Sequence, residues 1–178
     1  MAEYKMGFIG TGNMGSALAR AAAKSGERML LANRTPEKAE ALAAVLGAKV
    51  GTNLQAAAAC EYIFLGVKPQ MLPALLDELR PALLERTDRF LLVSMAAGVK
   101  TGTIRQALGF DCPVVRIMPN LPVASGTGVI LLSPGAQVKE DELCELERLL
   151  QAAGLLMRMP EGQIDAGSAV SGCGPAYV

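Results

Sequence analysis

The residues best able to do chemistry in this chain stand in short clusters, each at the end of an apolar run. Gly10-Thr11-Gly12-Asn13-Met14-Gly15 has the spacing G-x-G-x-x-G and starts where the run 5–10 ends. In such a turn the first glycine makes the tight bend, the second lets backbone approach a pyrophosphate, and the third allows close packing of helix on strand. The N–H groups of the helix N-terminus then face the anion. At Asn33, 23 residues after Gly10, an NAD-selective fold would end its second strand in Asp or Glu; this chain has Asn33-Arg34-Thr35 instead. A carboxylate repels a 2′-phosphate and a guanidinium beside a hydroxyl binds one, so the cluster points to NADP(H) in preference to NAD(H). The bland alternative is a solvated Arg34 and a Thr35 that only caps the next helix.

Three more clusters close later runs. Leu65-Gly66-Val67-Lys68-Pro69 ends a strand at the edge where open α/β sheets bind ligands, so Lys68 can face a cofactor there or stand alone on a surface loop. Ser94-Met95-Ala96-Ala97-Gly98 ends the next in small residues, as a flat ring lying on backbone requires and as a plain tight turn also would. Asn120 is fixed between Pro119 and Pro122 in Arg116-Ile117-Met118-Pro119-Asn120-Leu121-Pro122, a rigid loop able to hold an amide near a bound nicotinamide. Met118 and Met159 read as core filler.

What the chain lacks narrows the chemistry further. It has no histidine, which removes triads, Cys-His pairs and histidine-based zinc sites. Lys and Arg number 17 against 17 Asp and Glu, with no basic cluster, so neither a nucleic-acid partner nor a polybasic membrane contact is expected. Cys60, Cys112, Cys144 and Cys173 lie far apart with no CxxC, which predicts reduced buried thiols and no metal. The first apolar run is too short for a signal peptide and no run approaches a membrane span, so a cytoplasmic location is expected.

The elements that must position these clusters follow from the hydrophobic pattern. Apolar runs at 5–10, 29–32, 62–67, 90–94, 114–118, 129–132 and 155–159 read as strands. Helical spacing at 14–25, 71–79, 103–108 and 140–153 reads as helices, and another runs from Pro36, after Thr35 as N-cap, to a stop at Gly47. Strands that are continuously apolar fit a mostly parallel sheet covered on both faces, an α/β Rossmann-type doubly wound fold. An apolar fraction of 51% over 178 residues suffices for one such core. The glycine-rich stretch 167–174 is set apart, and Pro175-Ala176-Tyr177-Val178 reads as the first turn of an unfinished helix, so a following segment is expected. The expected organisation is a dinucleotide-binding domain over 1–160 and the start of a helical domain over 161–178.

Taken together, GFIGTGNMG, VKPQ, SMAAGV, RIMPNLP and the closing AVSGCGPAYV resemble pyrroline-5-carboxylate reductases, in order and spacing, from the N-terminus to the last residue. The resemblance implies reduction of the cyclic imine 1-pyrroline-5-carboxylate to L-proline with NAD(P)H, the last step of proline biosynthesis. It places pyrophosphate contacts on Gly10 through Gly15 and adenosine-side contacts on Asn33, Arg34, Thr35 and Asn53. Nicotinamide-side contacts fall on Val67, Lys68, Pro69, Ala96, Ala97 and Asn120, and substrate contacts on Ser171, Gly172 and Cys173. It also implies a homodimer or higher homo-oligomer built through the helical domain. The chain departs from the family pattern at Leu121, usually Thr, and at Cys173, usually Ser, the latter expected at a helix N-terminus. A protonated imine is already an electrophile, so a site without histidine suits this reaction. Another NADP-linked oxidoreductase of similar fold, or a non-enzymatic dinucleotide-binding domain, shares the cofactor residues and stays open here.

Overall fold

The apolar runs become strands of one sheet. A computed structural model describes residues 2–173. In it β1 (Tyr4–Ile9), β2 (Met29–Ala32), β3 (Lys49–Val50), β4 (Cys60–Leu65), β5 (Leu91–Ser94) and β6 (Val114–Pro119) run parallel. β7 (Gly128–Pro134) runs antiparallel to β6, and β8 (Gly154–Arg158) is parallel to β7. The order is β3-β2-β1-β4-β5-β6-β7-β8, so the chain winds outward from β1 through β2 to β3 and then crosses back to β4 on the other side. That reversal opens a crevice beyond the carboxyl ends of β1 and β4.

Seven helices cover the described sheet: α1 (Asn13–Ala23), α2 (Pro36–Leu46), α3 (Asn53–Ala59), α4 (Leu72–Leu84), α5 (Thr101–Leu108), α6 (Glu140–Leu150) and α7 (Ile164–Cys173). On one face Phe8 and Phe64 stack with ring centroids 4.3 Å apart and join Leu18 of α1 and Leu146 of α6. On the other, Ile9, Ile63 and Leu92 join Leu79 of α4 and Ile104 of α5. Each side chain of this size contributes about 1.5–3 kcal/mol when fully buried, so the two apolar layers outweigh any single polar contact in the molecule. No helix among the described residues is long and apolar enough to cross a membrane.

Several boundaries differ from the sequence expectation, each for a physical reason. α4 continues to Leu84 through Pro81, an exposed position where the chain gives up one helical hydrogen bond and keeps Leu83 buried. β3 and α3 were not expected: β3 is a two-residue exposed edge, and α3 rests on a capping box in which Thr52 and Gln55 bond reciprocally. α5 begins at Thr101 because the Glu161 carboxylate, 60 residues away in sequence, accepts the Thr101 N–H at 2.6 Å. The tail is also corrected. Residues 164–173 form α7 despite their glycines, so Ser171, Gly172 and Cys173 occupy the last described turn of a helix and not its N-terminus. Pro175 to Val178 lie outside the described residues, as does the Cys173 side chain.

The expectation of buried thiols holds for two of the cysteines and fails for one. Cys60 and Cys112 are buried, and burial pushes their thiols up to about 12 and about 11. Cys144 is exposed, with Sγ 3.4 Å from both Glu140 Oε1 and Arg158 Nη2. It stands on the outer face of α6, whose Leu143, Leu146 and Leu149 take the core positions.

Candidate functional site

The crevice is built first by backbone. Past the strand ends the ladder continues: Gly10 N–H donates to Ala32 O at 2.8 Å, Gly66 N–H to Ile9 O at 2.7 Å and Met95 N–H to Leu65 O at 3.2 Å. These bonds tie together the loops that follow β1, β2, β4 and β5. Gly10 has φ +93°, a left-handed conformation that disfavours any side chain. A Cβ on Gly15 would stand 2.1 Å from Gly10 O, and one on Gly66 2.6 Å from the same oxygen. Gly12 is different: a Cβ there meets nothing within 4 Å. The first glycine bends the chain, the last brings α1 against the bend, and the middle one faces open space.

That open space is lined by donors. α1 starts at Asn13 with Gly12 as N-cap, no side-chain cap and no acid in its first turn. Its leading N–H groups have no intrahelical partner, and the helix dipole puts partial positive charge there. The Thr11 hydroxyl is buried and without a hydrogen-bond partner. Unpaired donors, a buried hydroxyl and a missing side chain fit a pyrophosphate approached end-on by a helix.

The second cluster divides its labour. Asn33 Oδ1 accepts the Thr11 N–H at 3.1 Å and Nδ2 donates to Thr35 O at 2.9 Å, so Asn33 braces the glycine turn against the end of β2. Arg34 is exposed beside it. Thr35 is the N-cap of α2 by position, yet its side chain makes no capping bond. Asn53 opens α3 just past β3, at the same end of the sheet, and its amide donates to Glu78 of α4 at 3.2 Å. Its side chain is thus engaged with α4, whereas Asn33 bonds the glycine turn directly, with Arg34 and Thr35 next to it in the chain.

On the far side of the switch point, Val67 and Pro69 are half-buried and Lys68 is exposed, its carbonyl accepting the Met71 N–H at 2.9 Å. Ala96 is buried, with its N–H donating to Ser94 Oγ at 3.3 Å, and Ala97 is exposed. Asn120 is buried and fully engaged. Its Oδ1 accepts the Val129 N–H at 2.8 Å and its Nδ2 donates to Ser171 O at 3.0 Å. Ser171 is half-buried and Gly172 exposed, while Leu121, the departure beside Asn120, is 73% exposed.

Sequence reasoning gave no role to four residues that shape this end of the molecule. Gly66 lies against Gly10, and its signal was a glycine immediately after an apolar strand. Arg116 is wholly buried in β6 and pairs with Asp165 of α7; its signal was a lone charge inside the apolar run VVRIM. Asp165 and Glu161 gave no local signal, because their partners lie 49 and 60 residues away.

Comparison with known proteins agrees with this fold. A family model described as NADP oxidoreductase, coenzyme F420-dependent, matches residues 5–98. The chain is 33% identical to a pyrroline-5-carboxylate reductase of Methanosarcina acetivorans, aligning over 100% of this chain and 67% of that one. Among solved structures, the pyrroline-5-carboxylate reductase of Coxiella burnetii superposes with a TM-score of 0.89 at 30% identity, covering 98% of this chain and 66% of that one. A Plasmodium falciparum pyrroline carboxylate reductase with NADP bound superposes with a TM-score of 0.84 at 27% identity, covering 99% and 65%. The chain therefore spans about two thirds of the length of the relatives it matches, 64% for one from Corynebacterium melassecola.

Proposed function

Because the chain belongs to the pyrroline-5-carboxylate reductase family, its first half carrying the NADP-oxidoreductase domain, we propose that it binds NADPH and serves reduction of 1-pyrroline-5-carboxylate to L-proline. The observation that carries this reading is the glycine cradle at the β1/β4 switch point, with its unpaired α1 N–H groups and the open side of Gly12. A bound nicotinamide would supply a hydride to the imine carbon of a substrate protonated on its pyrroline nitrogen. Gly10 through Gly15 hold the pyrophosphate, and Arg34 with the uncommitted Thr35 hydroxyl takes the 2′-phosphate. Asn33 acts on the cofactor through the turn it braces. Val67, Lys68 and Pro69 border the crevice on the β4 side, and Ala96 and Ala97 provide a floor without bulky side chains. Asn120 fixes the loop after β6 and the end of α7, where Ser171, Gly172 and Cys173 meet the substrate side. A cytoplasmic enzyme assembled as a homodimer or larger homo-oligomer accords with this role.

The reaction is tested by following NADPH oxidation by the full-length chain against cyclic imines, 2-keto acids and 3-hydroxy acids. A response to pyrroline-5-carboxylate is expected; a strong response to a keto or hydroxy acid with none to the imine would move the assignment to another oxidoreductase class. Cofactor choice gives a separate expectation. Arg34→Ala should weaken NADPH binding by roughly tenfold to a hundredfold, the worth of one charged hydrogen-bonded pair, and leave NADH binding unchanged. Fluorescence titration of both cofactors decides it, and an unaltered NADPH affinity would make Arg34 a bystander.

A further inference from the structure

α7 and the turn before it are fastened to their surroundings at three points. In the turn before it, Glu161 accepts the Thr101 N–H and lies 3.3 Å from the Thr101 hydroxyl, close to Gly135, whose N–H bonds Val114 O at the amino end of β6. In the first turn of the helix, the Asp165 carboxylate pairs with both terminal nitrogens of Arg116, midway along β6. At the far end Ser171 O accepts from Asn120, just beyond β6. Between the last two, Gly167 passes so close to β7 that a methyl there would stand 2.9 Å from Leu131 Cδ1.

The middle fastening is the unexpected one. Arg116 is fully buried, and its ladder neighbours Ser94 and Ser133 are buried as well, so a polar row crosses three otherwise apolar strands. Its Nε has no partner. A buried guanidinium is costly to desolvate, and well-packed apolar residues in place of such a pair are often as stable or more so. Stability alone therefore gives little reason for an arginine here. Its reach does: from the middle of β6 it pairs with α7, in the turn where the helix begins its run toward Asn120.

We propose that Arg116 is a positioning residue for the substrate side of the site: through Asp165 it fixes where α7 delivers Ser171 to Asn120, without touching the dinucleotide. Its kinetic consequence rests on the imine-reductase reading; its structural consequence does not. The test compares the full-length chain with Asp165→Asn and with the double variant Arg116→Met/Asp165→Ala, which leaves no charge buried. Three quantities are read: NADPH affinity, amide exchange across residues 164–173, and KM and kcat for pyrroline-5-carboxylate.

The double variant is expected to melt near the parent and to bind NADPH within about twofold. Its residues 164–173 should exchange roughly tenfold faster, and KM for the imine should rise about tenfold with a smaller change in kcat. Asp165→Asn, which keeps the volume and loses the charge, should shift exchange and KM in the same direction by less, and it carries the test if the double variant does not fold. Exchange across 164–173 and KM that stay at parental values would make the pair dispensable for placing α7 and overturn the proposal. A parent that never oxidises NADPH with the imine would instead overturn the proposed reaction, and the exchange comparison would still decide whether Arg116 holds α7.

Discussion

Replacing Gly12 with valine is expected to leave the protein folded and to lower its dinucleotide affinity at least about a hundredfold. The backbone there has φ −67° and ψ −172°, ordinary values for any L residue, and nothing stands within 4 Å of the new Cβ. Folding therefore sees no strain. The side chain would instead fill the space over which the leading N–H groups of α1 open. Losing two hydrogen bonds to a charged phosphate at roughly 1.5–3 kcal/mol each gives about 3–6 kcal/mol, or two to four orders of magnitude in binding. Gly15→Ala is the contrasting control, since its methyl group would meet Gly10 O at 2.1 Å and the turn itself must shift. Melting temperature and NADPH affinity should then fall together. Thermal melts and fluorescence titrations on both variants separate the two cases. A Gly12→Val protein that binds NADPH like its parent would remove the anion cradle from the account.

Asn120→Leu should cost the fold more than an average buried substitution and reduce turnover beyond what the lost stability explains. The leucine matches the shape but leaves the Val129 N–H and Ser171 O without partners. Two half-buried groups so orphaned cost at most roughly 2–6 kcal/mol, which lowers the melting temperature by up to about 5–15 °C for a chain of this length. Asn120→Asp separates the two bonds. Its carboxylate still accepts from Val129 and repels Ser171 O, whereas the protonated acid can donate to that oxygen. Burial raises the pKa of such a carboxyl, so this variant should grow more stable as pH falls through the raised value, until other carboxylates protonate. Melts taken across a pH series check the sign. A variant that is equally stable at all pH values would show that the contact with Ser171 carries little weight.

Much of this fold was legible because its signals are local. The strand Met29–Ala32 and the helix from Pro36 to a glycine stop follow from four apolar residues, a proline at the first helical position and Gly47. The glycine turn was equally plain, since each glycine has a distinct steric task. The rest depends on distant partners. Nothing near Thr101 announces a helix cap supplied by Glu161, and nothing in a glycine-rich tail announces a helix held by Arg116 and Ile164 burial. Asn120 was legible as a fixed amide and was read as facing a ligand; its position in fact secures two pieces of backbone. Asn33 shows the same pattern, with its residue type recognised and both its hydrogen bonds made to backbone.

The antiparallel pair at the edge of the sheet has one more consequence. A helix that follows a parallel strand carries the chain back to the amino edge, but α7 follows a reversed strand and so travels toward the carboxyl edge, where the crevice lies. It does so alongside β6 and is read off at two marks, Arg116 and Asn120. From Asp165 to Ser171 the helix rises about 9 Å, and from Arg116 to Asn120 the strand covers about 13 Å; the long arginine side chain makes up the difference. Helix and strand thus act as two scales of a vernier. One residue inserted between the marks on α7 would advance Ser171 by about 1.5 Å and swing it by roughly 100°, so the two marks could no longer be matched together. Surface turns elsewhere in the chain can lengthen freely, while this interval of helix is held to a fixed count as strictly as the spacing of the glycines.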